Sequence, residues 1–270
     1  MQTPAEQREH YEIERELATR LRAATSTEAR RRLYGEVYRQ RSERIPHHPL
    51  VQQAADANAR ARSVAPQVAL LRPFLRSSSE FCELGAGDGA VARTVAPLVS
   101  RALAFDVTDA LALDDDESVG FEFRVFDGFD LELPDGSVDV VYSNDVVEHL
   151  HADDMLDQAR AVRRALRGGG VYVCVTPNRL SGPHDISRHF GENPEGFHLR
   201  EYTATELAHS FNTAGFSCVR FMLTVSGRRL TPLLAVGLLR PAEALLGALP
   251  RAVRRPLARS LAAVKVVAIK

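Results

Sequence analysis

The sequence predicts a doubly wound α/β fold, a mostly parallel sheet with helices on both faces. Three observations carry this. From Glu80 onward, short apolar runs alternate with segments of helical periodicity, as successive β-α units do. The first apolar run ends in a glycine-rich turn, Gly85-Ala86-Gly87-Asp88-Gly89, and a helical segment follows it directly. A chain of 270 residues suits one such domain with additions, and 45% hydrophobic against 26% charged residues supports a large core.

The elements follow in order. Residues 1–75 read as a helical cover. Ile13, Leu17 and Leu21 recur at helical spacing, and Leu33 with Val37 marks a second helix. Pro46-His47-His48-Pro49 breaks the pattern, and a further helix runs from about Leu50 to Leu75 with kinks at Pro66 and Pro73. Residues 76–270 read as the α/β domain. Its strands are placed at Phe81–Leu84, Ala102–Asp106, Phe121–Phe126, Val138–Tyr142 and Val171–Val175. Helices are placed at Ala90–Val99 and at about Val146–Leu166, the second stopped by Gly168-Gly169-Gly170. A helix at Thr203–Thr213, a strand at Phe216–Val225 and a final strand at Val264–Ile269 complete the list. Between the last two strands, residues 226–262 form an insertion rich in Leu, Ala and Arg.

A glycine turn between strand and helix lets a ligand approach backbone, because no Cβ intrudes. Gly85, Gly87 and Ala90 also satisfy the dinucleotide fingerprint, so the turn alone leaves several nucleoside cofactors open. Glu83 narrows the choice. A carboxylate two residues before the first glycine would repel a pyrophosphate but favour a sulfonium or an ammonium group. Asp106 ends the second strand about 20 residues after the turn, where a carboxylate accepts the ribose hydroxyls. Asp127-Gly128 follows the third strand, where a carboxylate can accept from an adenine amino group between Phe126 and Phe129.

These stretches, FCELGAGDGA, ALAFDV, FRVFDG, LPDGSVDVVYSNDVVEHL and LRGGGVYVCVTPN, occur in order across Phe81–Thr176 and beyond. In them the chain resembles the class I S-adenosylmethionine-dependent methyltransferases, in particular the small-molecule branch of ubiquinone and menaquinone biosynthesis. The resemblance implies a Rossmann-like sheet of seven strands with the last one antiparallel, a place that VKVVAIK would take. It implies that Glu83, Gly85, Ala86, Gly87 and Gly89 hold the methionine end of S-adenosylmethionine, and Asp106 with Val107 the ribose. Asp127 and Gly128 would border the adenine, and Asn144 and Asp145 would line the cavity under the methyl group. S-adenosylhomocysteine would be the product.

Methyl transfer by this family is an in-line attack on the sulfonium carbon, and a hydroxyl acceptor needs a base. His149 is the first candidate for it, with a structural histidine holding Glu148 or a backbone carbonyl as the alternative reading. His184 and His189, in the polar loop after the fifth strand, come next. His149, His151, Asp153 and Asp154 cluster in sequence, but adjacent Asp153 and Asp154 diverge on a helix, so no metal ligand is expected.

The expected acceptor is a small molecule of natural-product, quinone-like or sugar-like type, methylated on oxygen, with carbon and nitrogen as alternatives. A nucleic-acid methyltransferase is the further alternative. A net charge of −1 and Ser143-Asn144-Asp145-Val146 after the fourth strand, in place of an Asn/Asp-Pro-Pro-aromatic run, argue against nucleic acid as partner. Glu83 and the lack of a hydride-transfer constellation argue against a nicotinamide oxidoreductase. The charged N-terminus lacks the apolar stretch of a signal peptide, which points to the cytoplasm. Cys82, Cys174 and Cys218 match no zinc spacing and read as buried strand thiols. The insertion sets Arg228, Arg229, Arg240, Arg251, Arg254, Arg255 and Arg259 against one acid, Glu243. It is therefore expected to act as a lid over the substrate, as a pair of helices packed on the sheet with the arginines in water, or as a peripheral membrane contact.

Overall fold

The computed structural model describes residues 2–109, 119–225, 228–229, 233–258 and 263–270. Two long helices come first. α1, Pro4–Ala23, starts in a capping box between Thr3 and Glu6, and α2, Thr27–Arg44, is capped by Ser26. The single helix expected over 50–75 is two. α3, Pro49–Ala55, ends at Asp56, whose side chain turns to cap α4, Ala57–Leu71. Pro66 is accommodated inside α4, and Pro73 lies in a closing 3₁₀ turn, Arg72–Phe74.

Strands and helices then alternate as β1 Glu80–Leu84, α5 Ala90–Val95, β2 Arg101–Asp106, β3 Phe121–Val125, β4 Val138–Asn144, α6 Ala152–Ala165 and β5 Leu166–Pro177. α7 Ala204–Thr213 and β6 Cys218–Phe221 follow, then a hairpin of β7 Thr224–Val225 with β8 Arg228–Arg229. β9 Leu234–Ala235, α8 Arg240–Ala248, α9 Arg251–Ala258 and β10 Ala263–Ile269 complete the described elements.

The sheet runs β3-β2-β1-β4-β5-β10-β6-β9. β3 through β5 pair in parallel, and β10 inserts antiparallel between β5 and β6. This is the mostly parallel sheet with an antiparallel final strand that the sequence predicts. It has eight strands instead of seven, because two residues of the insertion, β9, pair with β6 at the edge.

The strand expected over Phe216–Val225 is divided into β6 and β7, which lie in different sheets. Three further boundaries differ, each for a local reason. Pro97 converts the end of the helix expected to reach Val99 into a 3₁₀ turn, Ala96–Leu98. The helix expected to start at Val146 is split into a 3₁₀ turn, Val147–His149, and α6, for which His151 supplies the N-cap. Gly168-Gly169-Gly170 does not end α6, which stops at Ala165. The glycines lie within β5, where the register against β4 shifts.

Side chains alternate across the sheet, so each strand feeds two cores. Cys82, Leu84, Leu103 and Phe105 pack with Ile13, Leu17, Tyr34 and Val37 from α1 and α2 and with Met155 and Val162 from α6. Phe81, Ala102 and Ala104 pack on the other face with Leu71 from α4 and Val91 and Val95 from α5. The N-terminal cover therefore shares a core with the sheet. Arg30 ties α2 to α6 through two hydrogen bonds to the buried Asp154, at 2.5 and 2.6 Å, and Tyr34 adds a third at 2.8 Å. Cys82 and Cys174 are buried and Cys218 is half-buried; all three are free thiols.

Candidate active site

The site lies at the carboxyl ends of β1, β2 and β4, where an open α/β sheet presents its ligand crevice. Two adjoining cavities open there. The first is lined by Gly85, Gly87, Asp106, Val107, Phe126 and Gly128 from the sheet and by Tyr34, Tyr38 and Arg41 from α2. The second is larger. Glu83, Ala86, Asn144, His184 and His189 lie along it, with His10, Glu14 and His48 on its far wall. Gly85, Gly87, Arg41, Asp145 and His149 belong to both.

The turn after β1 shows why glycine occupies it. Gly85 has φ +64°, and a Cβ there would lie 2.3 Å from the Val146 side chain. Gly87, at φ +56°, has nothing within 4 Å of a Cβ, so its backbone faces open space. Gly89 caps α5 and sits against Phe121 and Phe123, so it shapes the turn without lining either cavity. Glu83 is buried on the α5 side of β1, and its Oε2 accepts the Ala92 amide at 2.9 Å. Burial, with the charges of Asp88 and Asp106, pushes its carboxyl up to about 8 against the lowering effect of that amide.

Asp106 ends β2, and its carboxylate accepts the Gly87 amide at 2.8 Å and the Thr108 amide at 3.2 Å. Burial raises its pKa, and the amides and Arg41 oppose the rise. Asp127 does not line the cavities. It accepts from Phe129 and Asp130 in its own turn and pairs with Arg31 at 3.3 Å, so Gly128 alone of that pair reaches the cavity. Phe129 belongs to the core and Phe126 lines the cavity.

β4 delivers Asn144 and Asp145. Asp145 has φ +56°, an uncommon conformation for a residue with a side chain and one that clusters at functional sites. Asn144 Nδ2 donates to its carboxylate at 2.8 Å. Asp145 opens to the cleft, and enclosure by the cleft walls raises its carboxyl while His198 lowers it.

His149 sits in the 3₁₀ turn after β4, not one turn into a helix. Its Nδ1 lies 2.9 Å from the Phe197 carbonyl, which can only accept, so Nδ1 carries the proton and Nε2 the lone pair. Of the two structural partners considered from sequence, it holds the backbone carbonyl. His184 and His189 lie along the second cavity. His184 Nε2 contacts Ser181 Oγ and the Asn178 carbonyl, and Arg188 donates to His189 at 3.0 Å.

The structure adds Arg41, which no motif marks, and gives partners to Glu148 and His198. Arg41 is buried, stacks over Tyr38 and Phe197, and faces both cavities. Among the described residues its guanidinium has no hydrogen-bond or ion-pair partner, and Nε is buried without one. His198 donates to Glu201 at 2.8 Å. Burial lowers its pKa, but that bond and the surrounding carboxylates outweigh burial and bring it up to about 9. Glu148 accepts from Thr176 at 2.8 Å, and burial with Asp145 pushes its carboxyl up.

Among the described residues, two donor sets have the composition of divalent-cation sites: Glu148 with His149 and His198, and His10 with Glu14 and His48. In the second, His48 Nδ1 accepts the Leu50 amide at 3.1 Å, so its Nε2 carries the proton that faces Glu14. That set is a hydrogen-bonded anchor for α1. The cluster read from sequence does not converge, because Asp154 is taken by Arg30, Tyr34 and Thr27.

A family model described as a methyltransferase domain matches residues 56–220. The chain belongs to the class I S-adenosylmethionine-dependent methyltransferases. A Mycolicibacterium smegmatis protein named "Probable S-adenosylmethionine-dependent methyltransferase" is 38% identical over 138 residues, 50% of this chain and 50% of that protein. A Mycobacterium tuberculosis protein of the same name is 35% identical over 158 residues, 57% of this chain and 54% of that one. The chain thus spans about half the length of the curated relatives it matches. The fold of this methyltransferase is shared with an S-adenosylmethionine-dependent methyltransferase from Aquifex aeolicus, at TM-score 0.53 and 15% identity, covering 80% of this chain and 95% of that one. S-adenosylmethionine is the cofactor of the family, and the turn after β1 with Asp106 and Gly128 forms a continuous cradle along the first cavity.

Proposed function

We propose that this protein transfers the methyl group of S-adenosylmethionine to an oxygen of a small polar acceptor, of natural-product, quinone-like or sugar-like type. The observation that carries the reading is the meeting of the two cavities at Gly85, Gly87, Asp145 and His149. A cofactor lying along the first cavity, with its nucleoside over Asp106 and Gly128, would direct its sulfonium toward that junction. The acceptor would enter from the second cavity.

In the reaction the acceptor oxygen forms a bond to the methyl carbon as the S–CH₃ bond breaks. The electron pair stays on sulfur, which leaves as S-adenosylhomocysteine. The hydroxyl proton passes to a base. His149 Nε2 is the first candidate, since it holds a lone pair and its ring is oriented by Phe197. His184 and His189 would contact the acceptor. Protein chemistry here is mostly positioning. The histidine- and carboxylate-rich wall of the second cavity supports an acceptor with several hydroxyl or carbonyl groups.

Incubation with S-adenosylmethionine labelled on the methyl group and panels of phenolic, quinol and glycoside acceptors tests this. Label in an acid-stable, base-stable ether product is expected. Label on carbon or nitrogen would overturn the O-methyl assignment. Failure to bind S-adenosylhomocysteine would overturn the cofactor placement.

A further inference from the structure

The helical insertion is built inside out. A helix on a protein surface ordinarily turns its apolar stripe inward and its charges to water. On α8 and the 3₁₀ turn before it, Leu238, Pro241, Leu245 and Ala248 follow at spacings of three, four and three, which is one face, and all four are exposed. Leu238 is 70% and Leu245 67% exposed, and no residue of α8 is buried. α9 repeats the pattern. Pro250, Val253 and Leu257 share its outer face, with Val253 50% and Leu257 57% exposed. Ala258 is fully buried, Arg254 Nε is buried, and Arg251 pairs with Glu192 at 3.1 Å on the inner side. Arg251 and Arg254 therefore turn inward while Leu238, Leu245 and Leu257 point out, the reverse of two helices packed on the sheet with these arginines in water.

A nine-residue helix with no buried side chain gains nothing from water, so an apolar phase is the natural cover for its outer face. Charge selects among covers. Glu243, the single acid of the insertion, points away from that face. It accepts the Ala204 amide at 2.9 Å and the Thr205 amide at 3.2 Å, capping α7. The outer face keeps no carboxylate, while the exposed Arg240 and the half-buried Arg255 flank it with long side chains able to reach sideways to phosphates. No helix among the described residues is long and apolar enough to cross a membrane, so these helices would lie flat.

We propose that the outer face of α8 and α9 docks on an anionic lipid surface. Arg251 fixes the position of that face relative to the cleft. Besides pairing with Glu192, it reaches the Gly191 carbonyl at 3.5 Å, in the loop that carries His189 on the second cavity. Docking would set the rim of the acceptor cavity at the lipid headgroups.

The test is co-sedimentation with vesicles of phosphatidylglycerol mixed with phosphatidylcholine, and with phosphatidylcholine alone. Binding to the anionic vesicles is expected to be at least about tenfold tighter, and to weaken with salt. Leu245→Glu with Leu257→Glu should lower it about tenfold or more while leaving the melting temperature unchanged, since both side chains are exposed. Arg240→Gln with Arg255→Gln should lower it about 25-fold, on the basis of about fivefold per basic residue. Absence of binding to anionic vesicles would overturn the proposal. So would a wild-type dimer in light scattering that the two Leu→Glu changes convert to monomer, because the face would then belong to a second copy.

Discussion

His149 donates its Nδ1 proton to the Phe197 carbonyl across 2.9 Å, which fixes the imidazole in one tautomer with Nε2 as its free lone pair. Burial, with the positive charges of His198 and Arg41, brings the His149 pKa down to about 3. The ring is thus neutral at every pH at which the protein would be assayed. So low a value leaves the ring a weak proton acceptor, so His149→Gln is expected to lower turnover by about 10²-fold, the low end of the general-base range, with affinity for S-adenosylhomocysteine within about threefold of wild type. The kcat profile of the wild type should lack an ionisation near 6.5. The sign for stability follows from the depressed value. An unfolded histidine takes up its proton below about 6.5, so stability falls as pH drops from there toward 3. Rates and calorimetric titrations across pH check both statements.

Glu83 is expected to lose a proton when the cofactor binds. In the free protein, burial raises its carboxyl to about 8, so below that pH it is largely neutral. An ammonium or sulfonium group alongside favours the carboxylate. Affinity should therefore rise with pH up to about 8 and level off above it. Titrations with S-adenosylhomocysteine in buffers of different ionisation enthalpy should show proton release near neutrality, and Glu83→Gln should abolish that release.

Arg41 and Asp106 should each contribute to cofactor affinity. Hydrogen bonds to a charged group are worth about 1.5–3 kcal/mol, or about ten- to a hundredfold. Asp106→Ala is expected to weaken S-adenosylhomocysteine binding by at least the lower figure. Arg41→Met keeps the stack on Tyr38 and Phe197 but removes the donors that face the cavities. It should weaken binding of the intact ligand more than binding of adenosine, which carries no carboxylate. Equal losses for both ligands would place the guanidinium outside the methionine subsite.

The buried pair Arg30–Asp154 holds the N-terminal cover to α6. Asp154→Ala leaves the guanidinium uncompensated, and the expected loss is about 3–5 kcal/mol. Urea denaturation should show a lower midpoint with an unchanged slope. The double change Arg30→Met with Asp154→Leu should recover much of the loss, because no charge is then left buried alone.

The order of strands, the place of the crevice and the ends of β1, β2 and β4 were legible in the chain because they rest on local rules. Period-two apolar runs, glycines at positive φ and a carboxylate at a strand end leave marks within a few residues of one another. The boundaries that shifted did so where a local rule had a competitor. Pro97 shortened α5, Asp56 divided α3 from α4, and the three glycines continued β5 through a register shift. Asp127 carries the motif, yet its carboxylate is spent on its own turn and on Arg31.

What the sequence determined by itself is the α/β framework, the glycine turn and the carboxylates at its strand ends, since each depends on neighbours close in the chain. The tertiary structure alone decided which side chains line the second cavity. Arg41 from α2, His10 and Glu14 from α1, His149 after β4 and His198 from a distant loop converge only when the cover closes on the sheet. It alone decided, too, that the leucines of α8 and α9 face outward. Helical periodicity reveals that a stripe exists, but which way the stripe turns is set by what packs against its other side.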